Sequence, residues 1–248
     1  YEYPEDRFVL AGDWAWDNWG VYAAVNYIGS FEDQPDFDFD GTLADTAPDL
    51  GGALNRLLVE EGRPALPLEK YRPHTSNGTR GMLAIGFDIV PADPPYADLA
   101  RRFLQHYENA LCEHTVLFPD IAELLSSLEA RGIRWGVVTN KPQRFTLPLL
   151  EGLGLRQRCA CIVSGDSTPL PKPDPAPLLL ACATAKVRPS HSLYVGDDAR
   201  DIVAGRAADM ITVAAAWGYL GVDVPIASWQ AHAIIHRPDE VLGLLDRA

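Results

Sequence analysis

From residue 117 onward the apolar positions switch repeatedly between two spacings. Residues 120–132, DIAELLSSLEARG, carry apolar side chains three and four apart and stop on Gly132, which predicts a helix closed by a glycine. IRWGVVTN at 133–140 is a short apolar run ending in polar residues, which predicts a buried strand. The alternation continues with a helix over 144–154 in spite of Pro148, a strand over 159–166, a helix over 174–187 with prolines near its start, and a strand over 191–197. A helix over 198–210, strands over 211–217 and 231–238, and a closing helix over 238–246 complete the pattern. Such alternation predicts right-handed crossovers and a parallel, Rossmann-like α/β sheet covered on both faces. Ligands of these sheets bind at the carboxyl ends of the strands. Three predicted strands end there on polar residues: Thr139 and Asn140, Gly165 and Asp166, Gly196 and Asp197.

Residues 48–116 break the alternation. Helical spacing over 48–62 and 96–114 flanks the stretch RPHTSNGTRGMLAIGF at 72–87, with no clear strand between them. This predicts a helical cap at 48–116 inserted into a core formed by 36–47 and 117–248. Residues 1–35 fit neither part. Positions 14–31 hold three of the six tryptophans, and Val21, Ala23, Val25 and Tyr27 fall on one face of a period-two pattern. That segment is similar to a strand pair of an outer-membrane barrel with its aromatic girdle. It reads as atypical and foreign to the rest.

Length and charge narrow the function classes. The chain has 248 residues, enough for one large domain with an insertion, and a net charge of -13. That charge argues against nucleic acid, which needs a basic face, and against an anionic membrane surface. No apolar run approaches the roughly 18 residues of a spanning helix, and no secretory signal is visible. Cys112, Cys159, Cys161 and Cys182 form no CxxC pair or zinc spacing, and Cys159 and Cys161 read as strand packing. A cytoplasmic setting fits such cysteines. A monomer or homodimer is expected.

The densest chemistry is QPDFDFDGTLADT at 34–46. From Asp36 it begins like a calcium loop, but the twelfth position is Ala47, where a bidentate Glu is needed. A plain Asp-Gly hairpin turn is the other bland reading. Alternatively, Asp38 and Asp40 lie two apart at a strand end and point to one side, with Gly41 permitting a sharp turn. Two such carboxylates attract a divalent cation, and one can serve as nucleophile and the other as acid and base.

DFDGTLADTAPDL, VVTNKP, KPDPAPL and VGDDARDI resemble the four ordered motifs of the haloacid dehalogenase superfamily of phosphatases, over residues 38–248. RPHTSNGTRGML, WGVVTNKP and WGY are most similar to its bacterial phosphoglycolate phosphatase group, whose relatives include N-acetylmuramic acid 6-phosphate phosphatases. The resemblance implies the haloacid dehalogenase type of core and a Mg2+-dependent hydrolase of a small phosphorylated metabolite, working through an aspartyl-phosphate. The implied substrate is 2-phosphoglycolate, with N-acetylmuramic acid 6-phosphate as the alternative. Asp38 would be the nucleophile and Asp40 the acid and base. The aspartate at position 40 favours phosphoryl transfer over dehalogenation, which needs no proton. Thr139, Asn140 and Lys172 would bind phosphate, where the bland readings are strand packing for Thr139 and surface exposure for Lys172. The magnesium ligands would be Asp38, the Asp40 backbone carbonyl and Asp197. Asp198 and Asp201, otherwise ordinary acids of a helix start, would support those ligands from behind. Arg80, in the SNGTRG loop of the cap, would read the substrate, its bland alternative being an exposed arginine.

One stretch departs from this pattern. Ahead of Asp38, where an apolar central strand is expected, stand Gln34, Pro35 and Asp36. Pro35 cannot donate to a ladder, and Asp36 has no evident partner. The expectation is that residues 21–31 replace this strand, or that it is truncated. A non-catalytic chain with a damaged first strand is the alternative of a different class.

Overall fold

The computed structural model describes residues 34–221 and 224–246. The β reading of 14–31 lies outside them. In chain order the elements are β1 (Pro35–Phe37), β2 (Ala44–Asp45), α1 (Ala47–Glu60), α2 (Leu68–Tyr71), α3 (Gly78–Phe87), α4 (Tyr96–Asn109) and β3 (Val116–Leu117). They continue with α5 (Ile121–Ala130), β4 (Gly136–Val138), α6 (Gln143–Gly152), β5 (Ile162–Val163), α7 (Ala176–Ala185) and β6 (Leu193–Gly196). The last are α8 (Ala199–Ala207), β7 (Ile211–Ala215), β8 (Ala233–Ile235) and α9 (Glu240–Leu245). A 3-10 turn, Arg72–Asn77, leads into α3.

The sheet is parallel, in the order β5-β4-β1-β6-β7-β8. Its two faces follow the period-two direction of strand side chains. Val137, Leu193 and Val195 pack on one side with Leu124 and Leu128 of α5. Val138 and Tyr194, each one residue out of step, pack on the other with Leu178 of α7 and Ala204 of α8. Among the described residues no helix is long and apolar enough to cross a membrane.

The central position is filled by β1 itself, three residues long and paired with β4 and β6, so the expectation that residues 21–31 replace this strand is corrected. Pro35 is tolerated because it is the first residue of the strand. Phe37 supplies the apolar packing and is fully buried. Asp36 does have partners. Its Oδ1 accepts from Gln34 Nε2 at 2.7 Å and from Cys161 Sγ at 3.6 Å. Room for it exists because residue 136 is glycine: a Cβ there would overlap Asp36 Oδ1 and Cys161 Sγ. Asp36 Oδ2 and Gln34 Oε1 are buried and have no partner among the described residues.

The helices of 47–109 share their own core. Leu54, Leu57, Met82, Leu83 and Phe103 are buried together, each worth about 1.5–3 kcal/mol of transfer from water. Phe145 of α6 joins this cluster and ties it to the sheet layer. The chain leaves and re-enters the sheet layer through the antiparallel pair β2–β3, which the sequence reading did not anticipate.

Candidate active site

β1 ends beside the carboxyl edge of β6, where the Asp38 N–H donates to the Val195 carbonyl at 2.9 Å. The chain then turns within three residues, and Leu43 and Ala44 donate back to the Phe39 carbonyl. Gly41 has φ +82°, and a Cβ on it would overlap the Asp197 carboxylate. The turn therefore packs directly on the residue that ends β6. Asp197 is held there by Thr42 Oγ1 at 3.0 Å and by the Tyr219 N–H at 2.8 Å.

Lys172 reaches the same place from the segment before α7. Its Nζ lies 2.8 Å from Asp38 Oδ1, 2.7 Å from Asp201 Oδ1 and 2.7 Å from Tyr194 OH, and is almost wholly buried. Asn140 positions it: both ends of the Asn140 amide bond the Lys172 backbone, at 2.8 and 2.9 Å.

Asp38, Asp197 and Asp201 each present an oxygen within 4.8 Å of the others. Asp201 thus belongs to the acidic cluster itself, where it was expected behind it. The reason is the first turn of α8, whose Asp201 turns back across Gly196, a position where any Cβ would overlap its carboxylate. Its other oxygen accepts from the Asp198 N–H at 3.1 Å. Asp198 caps α8 and is gripped by Arg200 through Nε at 2.9 Å and Nη2 at 2.7 Å. Burial alone would raise Asp198, but Arg200 holds its carboxyl below the usual value.

Three buried carboxylates face one lysine. Burial pushes Asp38 up to about 7, with Lys172 opposing and Asp201 adding to the rise. Asp197 and Asp201 are driven up as well, by burial first, with a neighbouring carboxylate adding to each. The cluster therefore lacks positive charge. An all-oxygen donor set short of positive charge fits a hard divalent cation such as Mg2+.

Asp40 sits apart from this cluster. Its Oδ1 accepts from Thr46 Oγ1 at 2.6 Å and pairs with Lys141 Nζ at 3.0 Å. Lys141 Nζ also donates to Tyr107 OH at 3.1 Å, so a helix of the 47–109 layer is tied to Asp40 through one buried ammonium. Burial would lower Lys141, but Asp40 and Tyr107 keep it charged. Thr139 Oγ1 accepts from the Lys141 N–H at 3.1 Å and lies 3.5 Å from Asp40 Oδ2. Asp38, Asp40, Thr139, Asn140, Lys172, Asp198 and Asp201 all border one cavity of about 310 Å3, whose far wall is formed by Phe103, Tyr107 and the 3-10 turn. Arg80 does not border it. It is exposed on α3, whereas Gly78 and Thr79 line the cavity.

Residues 37–215 match the family described as haloacid dehalogenase-like hydrolase. The chain belongs to the haloacid dehalogenase-like hydrolases. It is 44% identical over 206 residues to the phosphoglycolate phosphatase of Xanthomonas campestris pv. campestris strain 8004, covering 83% of this chain and 92% of that one. It is 40% identical over 212 residues to the N-acetylmuramic acid 6-phosphate phosphatase of Pseudomonas putida KT2440, covering 86% of this chain and 95% of that one. The crystal structure of a predicted phosphoglycolate phosphatase from Haemophilus somnus 129PT superposes with a TM-score of 0.76 at 28% identity, over 85% of this chain and 96% of that one. The chain is a phosphatase of this family.

Several residues of this hydrolase's site escaped the sequence reading: Lys141, Arg144, Tyr194, Arg200 and Tyr219. Lys141, in TNKP, Arg200, in VGDDARDI, and Tyr219, in WGY, stood within motifs already noted. Arg144 and Tyr194 had no such signal.

Proposed function

We propose that this phosphatase is a Mg2+-dependent phosphomonoester hydrolase that works through an aspartyl-phosphate, with 2-phosphoglycolate as its substrate. The observation that carries the reading is Asp38 at the end of β1, held by Lys172 at 2.8 Å within an acidic cluster, while Asp40 waits on a separate hydrogen-bond set. An Asp38 carboxylate oxygen attacks phosphorus, and the ester P–O bond breaks as the new O–P bond forms. Asp40 gives its proton to the leaving alkoxide, then takes one from the water that cleaves the aspartyl-phosphate. Lys172 offsets the charge gathered on the phosphoryl oxygens. Asp38 and Asp197, with the Asp40 backbone carbonyl, would hold the cation, leaving Asp201 on Lys172. When bound, the cation neutralises phosphoryl charge. The cavity of about 310 Å3 leaves room beyond a two-carbon acid and supports N-acetylmuramic acid 6-phosphate as the second reading.

The test is phosphate release from both esters with Mg2+ or with chelator, joined to borohydride trapping of the acyl-phosphate. Release that depends on Mg2+, with the reduced residue mapped to Asp38, is the expected result. Full activity in excess chelator, or trapping elsewhere, would overturn it.

A further inference from the structure

Four cationic side chains line the cavity: Lys141, Arg144, Lys172 and Arg200. Three are already neutralised. Lys172 faces Asp38 and Asp201, Lys141 faces Asp40, and Arg200 grips Asp198. Arg144 is exposed at the edge of the cavity and has no carboxylate partner among the described residues. Its guanidinium lies over the Phe145 ring, 4.5 Å from the centroid, which orients the fork and leaves its N–H groups open. Nor does its place in the fold account for it, because the first turn of α6 disfavours a cation.

We propose that Arg144 reads the part of the substrate beyond its phosphate, its guanidinium taking a carboxylate. The proposal rests on the phosphomonoester reading above and assigns the reader role to Arg144 in place of Arg80. The substrate class is then a phosphate ester that carries a carboxylate, and a neutral ester of equal size is discriminated against.

Two matched pairs test this on the full chain with Mg2+ present. Calorimetry compares 3-phosphonopropionate, a non-hydrolysable carboxylate, with neutral propylphosphonate. Kinetics compares N-acetylmuramic acid 6-phosphate with N-acetylglucosamine 6-phosphate, which lacks the carboxylate. In at least one pair the wild type is expected to favour the acid by about 10-fold or more, as one charge-assisted hydrogen-bond pair implies. Arg144→Gln is expected to lose at least about fivefold more affinity for the acid than for the neutral member, and Arg144→Lys restores part of that difference. Equal treatment of both members in both pairs, or equal loss for acid and neutral member in Arg144→Gln, overturns the proposal. A chain that releases no phosphate yet binds the carboxylated phosphonate preferentially sinks the proposed reaction and sustains this inference. Phosphate release without any carboxylate preference does the reverse.

Discussion

A carboxyl in the middle strand of a parallel sheet must be neutral or well paired, and Asp36 is only partly paired. Burial pushes it up to about 6 from the usual 3.8, against the pull of Gln34 and Cys161. The folded chain therefore keeps this proton up to about pH 6, while the unfolded chain releases it near 3.8. Between those values folding takes up a proton, so stability falls as pH rises, and the full cost stands above the folded value. Carried into free energy, that displacement is about 3 kcal/mol. Asp36→Asn keeps the shape and offers an N–H to the unpartnered Gln34 Oε1. It should stabilise the protein by about 1–2 kcal/mol at pH 8, roughly 3–6 °C in melting temperature, and by nothing near pH 4. Melting curves of both proteins from pH 4 to 8 decide this, and parallel curves would contradict it. At Asp38 the expected effect is on chemistry. Asp38→Asn should abolish phosphate release, since an amide cannot form the acyl-phosphate, and circular dichroism should show the fold intact. Near-normal release from that variant would exclude Asp38 as nucleophile.

At the scale of an element, the turn after β1 joins strand geometry to catalysis. Gly41 combines φ +82° with direct contact on Asp197, so Gly41→Ala meets both backbone strain and overlap. Its cost should be about 1–3 kcal/mol of stability, with turnover reduced by at least about 100-fold as Asp38 and Asp197 separate. Gly62 is the control: its φ is +68°, but a Cβ there meets nothing within 4 Å. Gly62→Ala should leave turnover unchanged, and equal kinetic losses in the two variants would show that the contact with Asp197 is irrelevant. Beyond residue 117 the helices were legible because each is long enough to show a period, and the short strands because each stands in an apolar run between two such helices or turn signals. β2 and β3, two residues each, have no period to read. β1 was misread because what makes it viable is distant: Gly136 of β4 and Cys161, just ahead of β5, accommodate Asp36. The four motifs placed Asp38, Asp40, Thr139 and Lys172 around one cavity without help from tertiary structure. Arg80 was expected at the site and stands exposed away from the cavity, because the direction a side chain takes from a helix start is set by packing, which a single sequence does not display.

Across the whole molecule, stability is given up where charge is concentrated. Asp38, Asp197 and Asp201 converge with one lysine in the layer where the sheet edge meets the helices. Their raised proton affinities, caused by burial first and by neighbouring carboxylates second, mean that folding without a cation carries the cost of buried charge. A cation that binds only the folded cluster must then stabilise the entire chain by mass action, by about 2.7 kcal/mol at a hundredfold excess over its Kd. For a chain of this size that corresponds to roughly 5–10 °C. Mg2+ should therefore raise the melting temperature, and a monovalent salt at equal ionic strength should not, because screening acts weakly on buried groups. Asp197→Asn removes one repelling charge together with one ligand. Without Mg2+ it should melt at or above the wild-type temperature, and with Mg2+ it should lose most of the shift. Both readouts are independent of turnover. A wild-type melting temperature unmoved by millimolar Mg2+, or a shift fully retained in Asp197→Asn, would mean that the cluster is balanced by its own hydrogen bonds and does not hold the cation.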